Sequence, residues 1–320
     1  MSKAIATGTT LEHRIGPRGR FVLQQASGDV VIHGAEGDTV RVRSLDDKPL
    51  SDTFDIEVAD DKVELRERGG FDAGMRLFSR GSGADLKIEV PHGASVSVDT
   101  GSADVAASDL SGEKRFRTAS GEVSLTRLAG ALDVETVSGE IEIDGAAPLD
   151  LAAKSVSGDV HVRVPSIRRL DLGTTSGDIR LDAELTGDGP FAMRSISGDA
   201  TIVGRTGLRI EAESITGDLS SDLPSKRESL PGRRVLIVGR PGPTLTFRSV
   251  SGDLHVAEPR DSAPVVDERS EPEAPVEFDS PLPSTDPDSA RLAVLKALER
   301  GDITVADATD QLSQLDEVLR

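Results

Sequence analysis

Cysteine, tryptophan and tyrosine are absent from the 320 residues, and only eight are phenylalanine. Without cysteine neither a disulfide framework nor a thiolate metal site can form, which fits a reducing compartment. Without large aromatic side chains the core must be filled by Val, Ile, Leu and Ala, and this points to thin, repetitive layers. Cations are scarce too: 37 Lys and Arg against 56 Asp and Glu leave a net charge of −19. That balance argues against nucleic acid or an anionic membrane as a partner, because both need clustered cations. No window approaches 18 consecutive apolar residues, so no spanning helix is predicted. The opening "MSKAIATGTTLEHRIGPRGRF" has no apolar segment of the secretory type, and the expectation is a cytoplasmic protein.

What the chain has in abundance is one short phrase. Ser/Thr-Gly-Asp/Glu recurs with its glycine at Gly121, Gly139, Gly158, Gly177, Gly198 and Gly217, at intervals of 18, 19, 19, 21 and 19 residues. Gly101 in "TGSAD" precedes the series by 20, Gly252 follows Gly217 by 35, and Gly28 stands 73 before Gly101. These nine glycines are the predicted structural turns. Repetition at a fixed period marks stacked supersecondary units.

Each unit has the same grammar. In "LDVETVSGEIEIDG", Leu132 and Val134 alternate with acids, as do Ile141 and Ile143. Period two marks strands with one buried face. Leu132 and Ile141 differ by an odd number, so one flat strand cannot bury both sets. The chain must bend near Val137–Gly139, where glycine permits the corner. Two all-β architectures satisfy this: an antiparallel sandwich or meander of hairpins, or a parallel β-solenoid of roughly 19-residue coils. Parallel stacking favours identical residues in columns, and columns of Gly, Ser/Thr and Val/Ile are what the repeats supply.

"LKIEVPHGASVSVDTGSADV" at 86–105, with the serial "VSGDVHV", "TSGDIRL" and "ISGDATI", resembles a bacterial β-strand-repeat domain of unknown function labelled "putative adhesin". The similarity spans roughly residues 20–257. It implies a solenoid-like repeat domain without an established enzyme activity, and the label implies a surface protein.

An acid follows each turn glycine: Asp29, Asp104, Glu122, Glu140, Asp159, Asp178, Asp199, Asp218 and Asp253, with Asp104 set further on from its glycine than the others. A calcium ladder would need six to eight oxygens per ion. One carboxylate per coil reads instead as a solvated turn acid. His161 and His255 share an outward register but stand four or five coils apart in sequence order, too far to share a metal. His13, His33 and His92 have no companion at ligand spacing. No nucleophile elbow, phosphate loop or zincin helix is present. The expectation is no catalytic site, no metal, no cofactor and no small-molecule substrate.

The stretch "LPSKRESLPGRRVLIVGRPG" at 223–242 breaks the acidic surface with a cluster that includes Arg233 and Arg234. It reads as a long loop with "RRVLIV" as an edge strand, and as a candidate partner-binding patch. Beyond a β-repeat domain at 1–258, residues 259–288 hold seven of the 17 prolines among many acids, the composition of a disordered linker. Residues 289–320 change period, and Leu312, Leu315 and Leu319 fall on one helical stripe. "LKALERGDITVADATDQL" is similar to a short helical hairpin that accompanies some members of the same family. Two such helices cannot bury enough apolar surface alone, so 289–320 is expected to self-associate or recruit a protein partner. The function expected is a non-enzymatic scaffold or interaction module. The alternative is a surface adhesin or carbohydrate-binding solenoid, which would need aromatic platforms for sugar stacking and a route to the outside.

Overall fold

The computed structural model describes residues 5–46, 48–68 and 83–259. They form twenty-five strands and one four-residue helix, Leu50–Thr53. The described residues all belong to one compact unit. The linker from residue 260 onward and the predicted hairpin with Leu312, Leu315 and Leu319 lie outside the described residues.

Each repeat is one coil of a parallel solenoid. A long strand such as Gly130–Ser138 leads to the glycine corner, a short strand such as Ile141–Asp144 leaves it, and a turn lifts the chain to the next coil. Long strands pair in parallel with long, and short with short. Leu132 thus sits beside Leu151, and Ile141 beside Val160. The alternation seen in the sequence becomes columns in the core. One runs through Leu132, Leu151, Leu170 and Phe191, another through Val123, Ile141, Val160 and Ile179. All of these are buried. Parallel sheets of this kind need both strand sets to face a common interior, and the aliphatic composition supplies it.

The odd-number offset is absorbed as expected. Thr136 points inward, Val137, Ser138 and Glu140 are exposed, and Ile141 is buried again. Gly158 shows why the corner is glycine. Its φ is +145°, and a Cβ there would stand 2.1 Å from the carbonyl oxygen of Gly139 in the coil below. The same approach recurs from Gly121 to Gly139 and from Gly177 to Gly198. Gly101 is the exception among the nine. Ser102 pairs with Ser120, which places Ala103 in the corner column and Gly101 two positions earlier, on the strand beside Ala119. "TGSAD" carries its glycine two residues too soon to be the turn.

Coils do not stack throughout in sequence order. Thr244–Ser251 pairs with Phe191–Ser197 on one side and with Leu208–Ser214 on the other, so the Gly252 coil lies between those of Gly198 and Gly217. At the opposite end Arg20–Ser27 is flanked by Lys62–Glu67 and Ser95–Ser102, an exchange of the same kind. The 223–242 stretch is not a long loop. It is a hairpin, Ser225–Leu230 with Arg233–Val238, and "RRVLIV" is an inner strand because it also pairs antiparallel with Leu208–Ser214.

Candidate functional site

The outer corner of the stack repeats in register from coil to coil. Just before the Ser-Gly pair, Val137, Val156, Thr175, Ile196, Val250 and Ile215 follow one another in stack order. Their neighbours are in register on either side, as with Thr136 beside Ser155 and Ser138 beside Ser157. Val137 is 53% exposed, Ile196 52% and Ile215 79%. Successive coils are about 4.8 Å apart, so these side chains form one ridge, aliphatic at five of its six positions and interrupted by the hydroxyl of Thr175. One flank of the ridge carries the outward column Glu135, Lys154, Gly173, Arg194, Arg248 and Glu213. The other carries the turn acids.

Those acids are not merely solvated, as the sequence suggested. Asp159 Oδ1 accepts the backbone N–H of Asp178 at 2.7 Å, and Asp178 accepts that of Asp199 at 2.8 Å. Asp199 does the same for Asp253 at 2.9 Å, and Asp253 for Asp218 at 2.7 Å. Every rung joins one coil to the next, and the order of the rungs is the exchanged order of the coils. The ladder also runs at the other end, where Asp85 receives the N–H of Asp29 at 2.9 Å and Asp104 that of Glu122 at 2.8 Å. The two glutamates bond no N–H in this way. Their extra methylene carries the carboxylate past the donor, and Glu140 instead reaches His161 at 3.4 Å. One oxygen of each linking aspartate is thus committed to the backbone. Among the described residues no three His, Asp or Glu side chains converge as metal ligands.

The interleaved order also brings the histidines closer than sequence counting placed them. His161 aligns with Arg180, Arg180 with Thr201, and Thr201 with His255. Three steps separate them, about 14 Å, still too far for a shared metal. His255 Nδ1 lies 2.9 Å from Ser220 Oγ and its Nε2 3.1 Å from Asp222. His33 lies 3.0 Å from Ser108 Oγ and 3.3 Å from Asp109. In both cases the serine and histidine are cross-strand neighbours on an outward face. Paired residues on a sheet surface meet in this way without any catalytic demand.

Arg233 and Arg234 are engaged within the chain. Arg233 bonds Glu213 at 2.6 Å and Glu211 at 3.3 Å, while Arg234 donates to the Gly217 carbonyl and lies 4.0 Å from Asp218. They fasten the hairpin to the last coil. At the turns between coils the Arg127 guanidinium, hydrogen-bonded to Asp109, holds its carboxyl down at about 2.

Lys114 is a buried cation in an otherwise apolar column. It occupies the core column between Val96 and Leu132 and is 1% exposed. Its ammonium donates to the carbonyls of Gly112, at 2.5 Å, and Ala129. Burial pushes it down to about 8. Aligning "KRFRTASGE" with "LDVETVSGE" shows a lysine where the next coil has leucine, and that mismatch was the available signal.

Comparison with known proteins gives a family but no activity. The Toastrack DUF4097 family model matches residues 20–257. None of the curated proteins matches. Among solved structures the chain is similar to a "putative adhesin" of Bacteroides fragilis, with 13% identity, a TM-score of 0.44, and coverage of 80% of this chain and 97% of that one. It is also similar to a "putative lipid binding protein" of Parabacteroides distasonis, with 13% identity, a TM-score of 0.43, and coverage of 80% and 98%. With the glycine corner, the parallel columns and a match over most of its length, the chain belongs to the Toastrack DUF4097 family.

Proposed function

We propose that the protein is a non-enzymatic interaction scaffold, a rigid solenoid that holds protein partners through its exposed surface. The observation that carries this reading is the apolar ridge from Val137 to Ile215. Soluble proteins seldom leave a contiguous apolar strip uncovered, and those that do commonly use it for contact. The histidine clusters lie on outward strand faces, between cross-strand neighbours. Sugar binding draws no support from aromatic platforms: Phe21, Phe54, Phe116, Phe191 and Phe247, the described phenylalanines, are all buried. The leucine stripe of residues 289–320 is proposed as a second contact, joined through the proline-rich linker.

Affinity capture with the full chain tests the reading. It should recover a defined set of proteins, part of which is lost in Val156→Asp with Ile196→Asp and another part in Leu312→Asp with Leu315→Asp. Both variants should keep the parent melting temperature within a few degrees. An unchanged set in both variants contradicts the proposal.

A further inference from the structure

The ridge has a property beyond its apolarity: its two flanks differ in charge. Over the coils of Val156, Thr175, Ile196 and Val250, one flank presents Lys154, Arg194 and Arg248. The other presents Asp159, Asp178, Asp199 and Asp253. The cations are more than half exposed, although each has an acid beside it: Lys154 lies 4.0 Å from Glu135, Arg194 2.5 Å from Asp171 and Arg248 3.1 Å from Glu213. Each aspartate keeps one oxygen outside its backbone rung. The positive column stands two residues from the ridge along the strand, and the negative column three residues from it around the corner. The two offsets are similar.

Such a surface is complementary to itself in one orientation. When two copies face each other about a two-fold axis parallel to the stack, left and right exchange. Apolar ridge then meets apolar ridge, and each positive column faces the partner's negative column. When the axis instead runs across the stack, positive columns face each other and so do negative ones, which like-charge repulsion disfavours.

Size is compatible with this pairing. Five steps from Val137 to Ile215 extend about 24 Å. With both flanks included, the strip covers on the order of 1,000 Å² summed over two copies, the lower end of specific interfaces. We propose that this ridge is the self-association face of the protein, joining two copies side by side with their stacks parallel. The inference rests on the interaction-scaffold reading above and names its partner.

The parallel geometry sets a sharp test, because every ridge residue then faces the same residue of the other copy. The chain has no native cysteine, so single substitutions report cleanly. Val137→Cys and Val250→Cys lie four steps apart, about 19 Å, at two separate points along the ridge. Under mild oxidation of the full chain, each alone should give a disulfide-linked dimer, since a disulfide needs Cα atoms about 4.4–6.8 Å apart. Light scattering at about 100 µM, above the Kd expected for a weak interface, should give twice 33.7 kDa for the parent and 33.7 kDa for Val156→Asp with Ile196→Asp. Leu312→Asp with Leu315→Asp should leave this dimer intact.

Crosslinking at only one of the two cysteines, or at neither, overturns the parallel pairing. A monomeric parent, or a dimer lost only in the tail variant, overturns the ridge as the self-association face. The scaffold reading survives either result if capture still depends on the ridge or the tail.

Discussion

The middle of the stack and its two ends are built from the same strands by different rules. From Gly121 to Gly198 each coil rests on the one before it in sequence, 18 to 21 residues away. At both ends neighbouring coils have exchanged places, and antiparallel strands close the stack: Arg233–Val238 and Ser225–Leu230 at one end, Phe54–Ala59 at the other. An open parallel end would present a row of unpaired backbone groups, a template for adding another strand. The exchange also places the last described long strand, Thr244–Ser251, inside the sheet with a partner on each side. A strand held in this way cannot peel off without breaking two ladders. Local repetition therefore builds the body, and long-range pairing protects its ends.

The contrast between body and ends is widest at the glycines. Gly158→Val should destabilise the fold by several kcal/mol, because the backbone is in the left-handed region and the Gly139 carbonyl occupies the side-chain site. Gly232→Ala, in the end hairpin at φ +73° with open space around it, should cost about 1 kcal/mol from strain alone. Denaturant titration compares the two, and equal losses would mean that the corner column is not close-packed.

Lys114 gives the next largest effect. Its pKa is about 8 folded against 10.5 in the reference state, so between those values the unfolded chain binds more protons and stability rises with pH. The rise should approach about 3 kcal/mol from pH 8 to 10.5, and it should vanish in Lys114→Met. A flat profile in the parent would place the ammonium in water.

Smaller differences separate the aspartate rungs from the glutamate gap. Asp178→Ala removes an inter-coil hydrogen bond and should cost about 1 kcal/mol. Glu140→Ala, which makes no rung, should cost under about 0.5 kcal/mol. Melting curves under identical conditions rank them. Smallest of all, millimolar calcium should leave the melting temperature unchanged, because no described carboxylates converge. A site filled at 100 times its Kd would add about 2.7 kcal/mol.

Much of the body was legible because its signals are local. Alternation in "LDVETVSGEIEIDG" gave the buried faces, and the odd offset between Leu132 and Ile141 located the corner. The columns of identical residues pointed to parallel stacking. What stayed hidden depends on neighbours distant in sequence. The rung from Asp199 to Asp253 spans 54 residues, and only the exchanged coil order brings the two together. Gly101 was misplaced because spacing locates a glycine only to within a residue or two, while pairing of Ser102 with Ser120 fixes it. The ridge was written in the sequence, as the residue before each Ser-Gly, but parity cannot say which way a side chain points at a bend.

The exchanged order decides whether Ile196, Val250 and Ile215 form one ridge, and it can be tested directly on the opposite strand face. Thr201 and His255 are cross-strand neighbours, as are His255 and Ser220, whereas Thr201 and Ser220 are two steps apart. In the cysteine-free chain, Thr201→Cys with His255→Cys should form an intramolecular disulfide readily, and Thr201→Cys with Ser220→Cys should not. The reverse result would mean that the coils stack in sequence order, and it would contradict the fold, the aspartate ladder and the continuous ridge together.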